Sequence, residues 1–263
     1  MGDFSNAEFD LTGKVAIVTG AGGRGNSIGR AYAMALANAG ASVVVADLNG
    51  EGAQKVAAEI SATGGKAIAV QVDIVDEASA TAMAQAAIDA FGGIDILVNN
   101  AALMVEIADG RPLHAIQRNE FDRMMGVNTW GAINCTRAVV PSMTARGGGA
   151  IVNQISGGAF PAQSPYGVSK LALAGVTTNL ATDLGSQKIR VNAIAPGMTK
   201  TDAGNSLTPD GSDFVVSVGA RCPIQARDTP DALCGALLLL VSSAGRWMTG
   251  QILNVDGGWI MRT

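Results

Sequence analysis

Histidine is almost missing from this chain of 263 residues, where His114 stands alone. A histidine-based metal site needs partner histidines, so none is expected. A Ser-His-Asp hydrolase would have to use His114, and no Gly-x-Ser-x-Gly turn is present to carry its serine. Cysteine is sparse too. Cys135, Cys222 and Cys234 are widely spread and form no Cys-x-x-Cys pair. An odd, scattered set points to reduced thiols and a cytoplasmic setting. Charged residues make up only 15%, the formal net charge is -4, and no long basic run occurs. That argues against a nucleic acid as partner. The longest nearly continuous apolar stretch, Ala232 to Val241, is too short to span a bilayer. The polar, acidic segment Met1 to Asp10 lacks a signal-peptide pattern, so no membrane partner is expected either.

What is present is apolar residue, 48% of the chain, arranged in a rhythm. Short apolar runs alternate with longer helical patterns, as in βαβ units around a parallel sheet. Strands are predicted at 15–18, 42–46, 67–72, 96–98, 150–155, 189–194 and 251–255. Helices are predicted at 28–39, 51–62, 77–91, 120–143, 165–184 and from Thr229 or Pro230 to 241, with Pro141 bending or breaking the fourth. With no linker, repeat or low-complexity segment, residues 1–263 read as one α/β domain: a doubly wound Rossmann-type fold with seven parallel strands and helices on both faces. Segments 101–119 and 202–228 break the rhythm. Both follow carboxyl ends of strands, where open α/β sheets bind ligands, and read as substrate-side loops.

After the first strand comes a glycine-rich turn, Thr19-Gly20-Ala21-Gly22-Gly23-Arg24-Gly25-Asn26-Ser27-Ile28-Gly29. Between a strand and a helix, such glycines let the backbone approach a pyrophosphate that the helix N-terminus attracts. Ser27 can cap that helix or donate to a phosphate oxygen. Asp47 ends the second strand, followed by Leu48. A carboxylate there can accept from an adenosine ribose diol and repel a 2′-phosphate, which favours NAD over NADP. Arg24 is the counter-signal, because its guanidinium could pair with that phosphate.

Tyr166 and Lys170 sit one helical turn apart and share a face. A free phenol is a poor base near neutrality. A neighbouring ammonium, together with the helix N-terminus begun by Ser164 and Pro165, is expected to favour the phenolate and lower the tyrosine pKa.

These features occur in one order with Asp73-Ile74, Asn99-Asn100-Ala101, Asn128, Ser156, Pro196-Gly197 and Asp256-Gly257-Gly258. Across nearly the whole length the chain resembles the short-chain dehydrogenase/reductase family. The resemblance implies hydride transfer between a nicotinamide cofactor and a carbonyl or alcohol. It makes Tyr166 the general acid/base, Lys170 its electrostatic partner and holder of the nicotinamide ribose, and Ser156 the hydrogen-bond donor to the substrate oxygen. Asn128 would hold a water linking Lys170 to solvent. The cofactor would be held by Gly20, Gly22, Gly25, Ser27, Ile28, Asp47, Leu48, Asp73, Ile74, Asn100, Ala101, Tyr166, Lys170, Pro196, Gly197, Thr199 and Thr201. Three departures stand out. The glycine turn is longer than the family's, with Ser27 at the middle glycine and Gly25 as its expected substitute. Ala102 replaces a glycine. Ser156 lies ten residues before Tyr166, closer than the common spacing.

The leading expectation is an NAD-dependent enzyme acting on a mostly hydrophobic secondary alcohol or ketone. Leu103-Met104-Val105 and Phe214-Val215-Val216 are expected to form its apolar pocket. Alternatives are an NADPH-dependent 3-oxoacyl-thioester reductase and a non-catalytic dinucleotide sensor. The family resemblance implies a homotetramer, with Ala232–Val241 and the Trp259-Ile260-Met261 tail suited to an interface.

Overall fold

The computed structural model describes residues 6–23, 25–104, 111–224 and 227–261. Among them seven strands form one parallel sheet in the order β3-β2-β1-β4-β5-β6-β7. The chain runs β1 Val15–Thr19, α1 Ile28–Asn38, β2 Ser42–Asp47, α2 Gly50–Ala62, β3 Lys66–Gln71, α3 Glu77–Phe91 and β4 Ile96–Asn99. It continues with α4 Arg118–Met125, α5 Gly131–Ala145, β5 Gly149–Gln154, α6 Pro165–Leu184 and β6 Ile189–Pro196. The last elements are α7 Asp202–Leu207, α8 Asp213–Gly219, α9 Cys234–Val241 and β7 Ile252–Val255. The sequence expectation of a doubly wound parallel sheet therefore holds. No helix among the described residues is long and apolar enough to cross a membrane.

Strands of a sheet covered on both faces are apolar on both sides, and β1 is buried at all five residues. One layer of core packs α1, α2 and α9 against the sheet through Tyr32, Leu36, Val56, Ile60 and Leu237. The opposite layer packs α3 and α5 through Met83, Ala87, Cys135, Val139 and Met143. Helix α9 thus spends Leu237, Leu240 and Val241 on the core, which accounts for much of the apolar run considered for an interface.

Two predicted segments differ in detail. The long helix expected over 120–143 is α4 and α5 joined by a π-helical turn at Gly126–Trp130. It continues to Ala145, so Pro141 does not break it. Segment 202–228, read as an irregular loop, contains α7 and α8, each begun by a serine or threonine followed by aspartate. These helices are too short for periodicity to show in the sequence.

The strand order reverses between β1 and β4, and that is where crevices open in such sheets. Hydrogen bonds stitch the two strand ends together. Thr19 Oγ1 donates to the Val98 carbonyl at 3.2 Å and accepts from the backbone N–H groups of Asn100 at 3.1 Å and Ala101 at 3.2 Å. Asn100 Nδ2 donates to the carbonyls of Thr19 at 2.9 Å and Gly20 at 3.0 Å. The glycine turn folds tightly over this seam, and a Cβ on Gly29 would lie 2.2 Å from the Gly20 carbonyl oxygen. Backbone cannot yield as a flexible side chain does. Gly29→Ala is expected to cost about 1–3 kcal/mol of stability and to weaken dinucleotide binding, read by urea unfolding and by NADH titration.

Candidate active site

A cleft of about 810 Å³ opens at the carboxyl ends of the strands. Its floor and cofactor-side wall are lined by Gly20, Gly23, Ile28, Asp47, Leu48, Asp73, Ile74, Asn100 and Ala101. Pro196, Gly197, Thr199 and Thr201 line it further along, and Ser156, Tyr166 and Lys170 face it from β5 and α6. The structure thus brings together most of the residues singled out in the sequence.

The glycine turn also makes contacts within the protein. Gly22, Gly25 and Ser27, expected at the cofactor, each pack or bond against neighbouring elements. Gly22 donates its N–H to Asp47 Oδ2 at 2.8 Å, and a Cβ on it would lie 2.5 Å from Ala53 N, so it packs the turn against α2. Gly25 adopts φ +58°, and a Cβ there would run into the Asp202 carboxylate. Ser27 caps α1 by accepting from Arg30 N at 3.3 Å. The added residues of this turn reach across to the α7 side of the cleft: Asn26 Nδ2 donates to the Lys200 carbonyl at 3.2 Å, and Asp202 N to the Asn26 carbonyl at 3.1 Å. Arg24 and Val105 lie outside the described residues. Asn99, grouped with its neighbours in the sequence motif, sits in the core and donates to Asn153 Oδ1 at 2.9 Å, because successive side chains at a strand end point to opposite faces.

Tyr166 is placed as expected. Ser164 caps α6 by accepting from Gly167 N at 3.0 Å, and Pro165 opens the helix. Lys170 Nζ lies 5.7 Å from the centre of the Tyr166 ring. The lysine is 1% exposed, and its ammonium donates to the Gln154 carbonyl at 2.8 Å. Gln154 is held in turn, because its side-chain oxygen accepts from the buried Tyr32 hydroxyl at 2.8 Å. Nothing in the local sequence points to this support.

The short Ser156–Tyr166 spacing does not separate the two side chains: both line the cleft, and Ser156 is near enough to pull the Tyr166 pKa down. Ala162 turns the connecting loop in the left-handed region at φ 48°. Gly167 lets the loop pack close, since a Cβ there would meet the Gly158 carbonyl oxygen at 2.6 Å. Ser156 Oγ also accepts from Gly158 N at 3.1 Å, which fixes its rotamer.

Asn128 stands behind the cleft, in the π-helical turn, 1% exposed. Its side chain accepts from Leu103 N at 2.7 Å and donates to the Leu103 carbonyl and to Ser169 Oγ, both at 2.9 Å. Its amide therefore ties the loop after β4 to α6.

Electrostatics correct one reading. Burial pushes the Tyr166 phenol up to about 12, against a hydrogen bond from Ser156 that pulls it down. Burial likewise pushes the Lys170 ammonium down to about 7. Desolvation dominates, so in the ligand-free cleft the tyrosine pKa is raised and not lowered as its helix position suggested.

Apolar side chains are prominent in the rest of the lining: Leu103, Met104, Met198, Leu207, Phe214 and Trp259, with Arg123 and Arg227 among them. Val215 is buried and Val216 is 60% exposed, because three consecutive residues of α8 face in different directions. Trp259, read in the sequence as part of a tail suited to an interface, lines the cleft.

Glycines without room for a Cβ, an aspartate at the end of β2, and a Ser/Tyr/Lys set define a dinucleotide-binding oxidoreductase. A family model described as enoyl-(acyl carrier protein) reductase matches residues 23–260. An uncharacterised oxidoreductase of Mycobacterium tuberculosis is 51% identical over 95% of this chain and 98% of its own. The structure of a 7α-hydroxysteroid dehydrogenase complexed with NADH and 7-oxo glycochenodeoxycholic acid superposes with a TM-score of 0.89 at 37% identity, covering 97% of both chains. A gluconate 5-dehydrogenase from Burkholderia cenocepacia in complex with NADP and tartrate gives 0.88 at 34% identity, covering 96% of this chain and 97% of that one. The chain belongs to the short-chain dehydrogenase/reductase family, whose members are NAD(P)-dependent oxidoreductases acting on CH–OH and C=O groups.

The buried lysine has a measurable consequence. Lys170 is held near 7 in the fold against 10.5 when free, so the unfolded chain binds the extra proton between those values. Its burial then costs stability fully below about pH 7, and the cost fades as pH rises toward 10.5. Urea midpoints of the cofactor-free protein should climb from pH 7 to 9.5 more steeply than those of Lys170→Met. Equal slopes would show that Lys170 is not desolvated.

Proposed function

We propose that the protein is an NAD(H)-dependent dehydrogenase/reductase of a mostly hydrophobic secondary alcohol and its ketone. The observation that carries this reading is the cluster of Ser156, Tyr166 and Lys170 on one wall of a cleft in whose remaining lining apolar side chains are prominent. The residues fit a nicotinamide dinucleotide. The cleft lies at the strand-order reversal, its floor is glycine backbone, and the N-terminus of α1 adjoins it. A nicotinamide bound there supplies or accepts the hydride.

The chain's own residues do the rest. Ser156 donates a hydrogen bond to the substrate oxygen as charge develops on it. Tyr166, held as a phenol by burial, is in the form needed to give a proton to that oxygen during ketone reduction. In the oxidative direction it must lose that proton, and Lys170 beside it favours the phenolate to the extent that it carries a proton. The oxidation rate should therefore rise with pH while the reduction rate falls. Asn128 holds Leu103 and Ser169 in place and thereby fixes the gap between the substrate loop and α6.

Asp47 supports NAD over NADP. Its carboxylate lines the cleft and accepts from Gly22 N at 2.8 Å and Asn49 N at 2.9 Å, so it stays at the end of β2 facing the ribose position. A 2′-phosphate would bring a second negative charge against it. Fluorescence titration should show tighter NADH than NADPH binding, with the gap narrowed in Asp47→Ala. The opposite preference would move the reading toward an NADPH-dependent biosynthetic reductase. Tyr166→Phe should lower kcat about a thousandfold while NADH binding persists. If its biological effect survived that substitution, a dinucleotide sensor would be the better description. The protein is proposed to act in the cytoplasm as a tetramer, and sedimentation showing only monomer at micromolar concentration would remove the second part.

A further inference from the structure

Aromatic residues are scarce here, at 4% of the chain, and one of them is built into the catalytic wall. Trp259 follows Gly257 and Gly258, which adopt φ +67° and +85°. The turn is fastened. The Asp256 carboxylate accepts from Gly258 N at 2.9 Å and Ile260 N at 3.0 Å, and Trp259 N donates to the Asp256 carbonyl at 3.2 Å. Gly257 accepts from Ile224 N at 3.1 Å, and a Cβ on Gly258 would lie 2.9 Å from Pro223 Cδ. The indole is thus delivered by a packed turn.

It is delivered onto Gly157. A Cβ at that position would lie 2.9 Å from Trp259 Cε3 and 3.0 Å from Cζ3. The six-membered part of the indole therefore rests directly on the residue after Ser156, and only glycine leaves room for it. The ring remains half-buried and lines the same cleft as Ser156, Tyr166, Met198 and Phe214. A flat apolar ring thus packs on the residue that follows Ser156 and shares the cleft with it.

We infer that Trp259 is the specificity-determining residue of this site, and that the preferred substrate carries its hydroxyl or carbonyl on, or directly beside, a flat apolar ring. This rests on the dehydrogenase reading above and narrows it to a substrate class. A ring offers the indole an offset-stacked or edge contact near the reacting carbon, worth more than its area alone. An open chain offers less surface there and must freeze several rotatable bonds to lie against the wall.

The test compares 2-tetralone with 2-decanone, a ring ketone and an open-chain ketone of equal carbon number. The full-length protein is used with the nicotinamide cofactor it binds more tightly. Wild type should show the higher kcat/KM with 2-tetralone. Trp259→Ala should lower the ratio of the two kcat/KM values about tenfold, and Trp259→Phe should keep most of it. Gly157→Ala, which displaces the indole, should also lower the ratio. Trp247→Ala, at a side chain 97% exposed and outside the cleft, should leave it unchanged. NADH titration of each variant separates a folded protein with an altered pocket from a misfolded one. If Trp259→Ala fails to fold, the wild-type preference and Trp259→Phe still decide. Turnover of both ketones with no ring preference, or a ratio that ignores position 259, overturns this inference and leaves the dehydrogenase reading standing. Cofactor binding without turnover of either ketone, or of either alcohol in reverse, overturns that reading and the inference with it.

Discussion

The seam between β1 and β4 is the constraint on which the site depends. Thr19 Oγ1 joins three backbone groups of the β4 end, and Asn100 Nδ2 returns two bonds to the β1 end. Neighbouring helices leave a sheet in opposite directions at such a reversal, so a cleft opens without any element being distorted. The glycine turn can lie close over the seam only because Gly20 and Gly29 carry no Cβ. The cofactor-side wall, the placement of the loop after β4 and, through Asn128, the spacing to α6 all follow from that seam.

On the opposite wall the governing physics is desolvation. Lys170 is buried and Tyr166 partly so, and desolvation disfavours the charged form of each. The result is a phenol beside Ser156 and a weakly basic amine held by a hydrogen bond to the Gln154 carbonyl. A site prepared this way can move a proton in either direction once substrate oxygen and cofactor replace the missing solvation. Tyr32 takes part at a distance by fastening Gln154, so a buried residue of α1 supports the position of the lysine.

The substrate end is shaped by segments far apart in sequence. Leu103 and Met104 come after β4, Phe214 comes from α8, and Trp259 comes after β7. The longer glycine turn touches this end as well, through Asn26 on Lys200 and Asp202. The glycine turn and the entry to α7 are therefore in direct contact in this chain, a link provided by residues that looked in the sequence like an irregularity of the phosphate turn.

What the sequence by itself determined is local. Apolar runs of strand length, the cap at Ser164 and Pro165, the four-residue step from Tyr166 to Lys170, and Asp47 at a strand end each depend on neighbours within a few residues, and each lies where it was expected. Tertiary structure decided the rest. It set Tyr166 as a phenol, because burial comes from packing and not from the adjacent residues. It moved Asn99 into the core and left Asn100 in the cleft. It turned Gly22 and Gly25 into packing contacts with α2 and Asp202, and it brought Trp259 onto Gly157 across about a hundred residues of chain. Dielectric environment and long-range contact are properties of the folded surface, and no stretch of this sequence carries them alone.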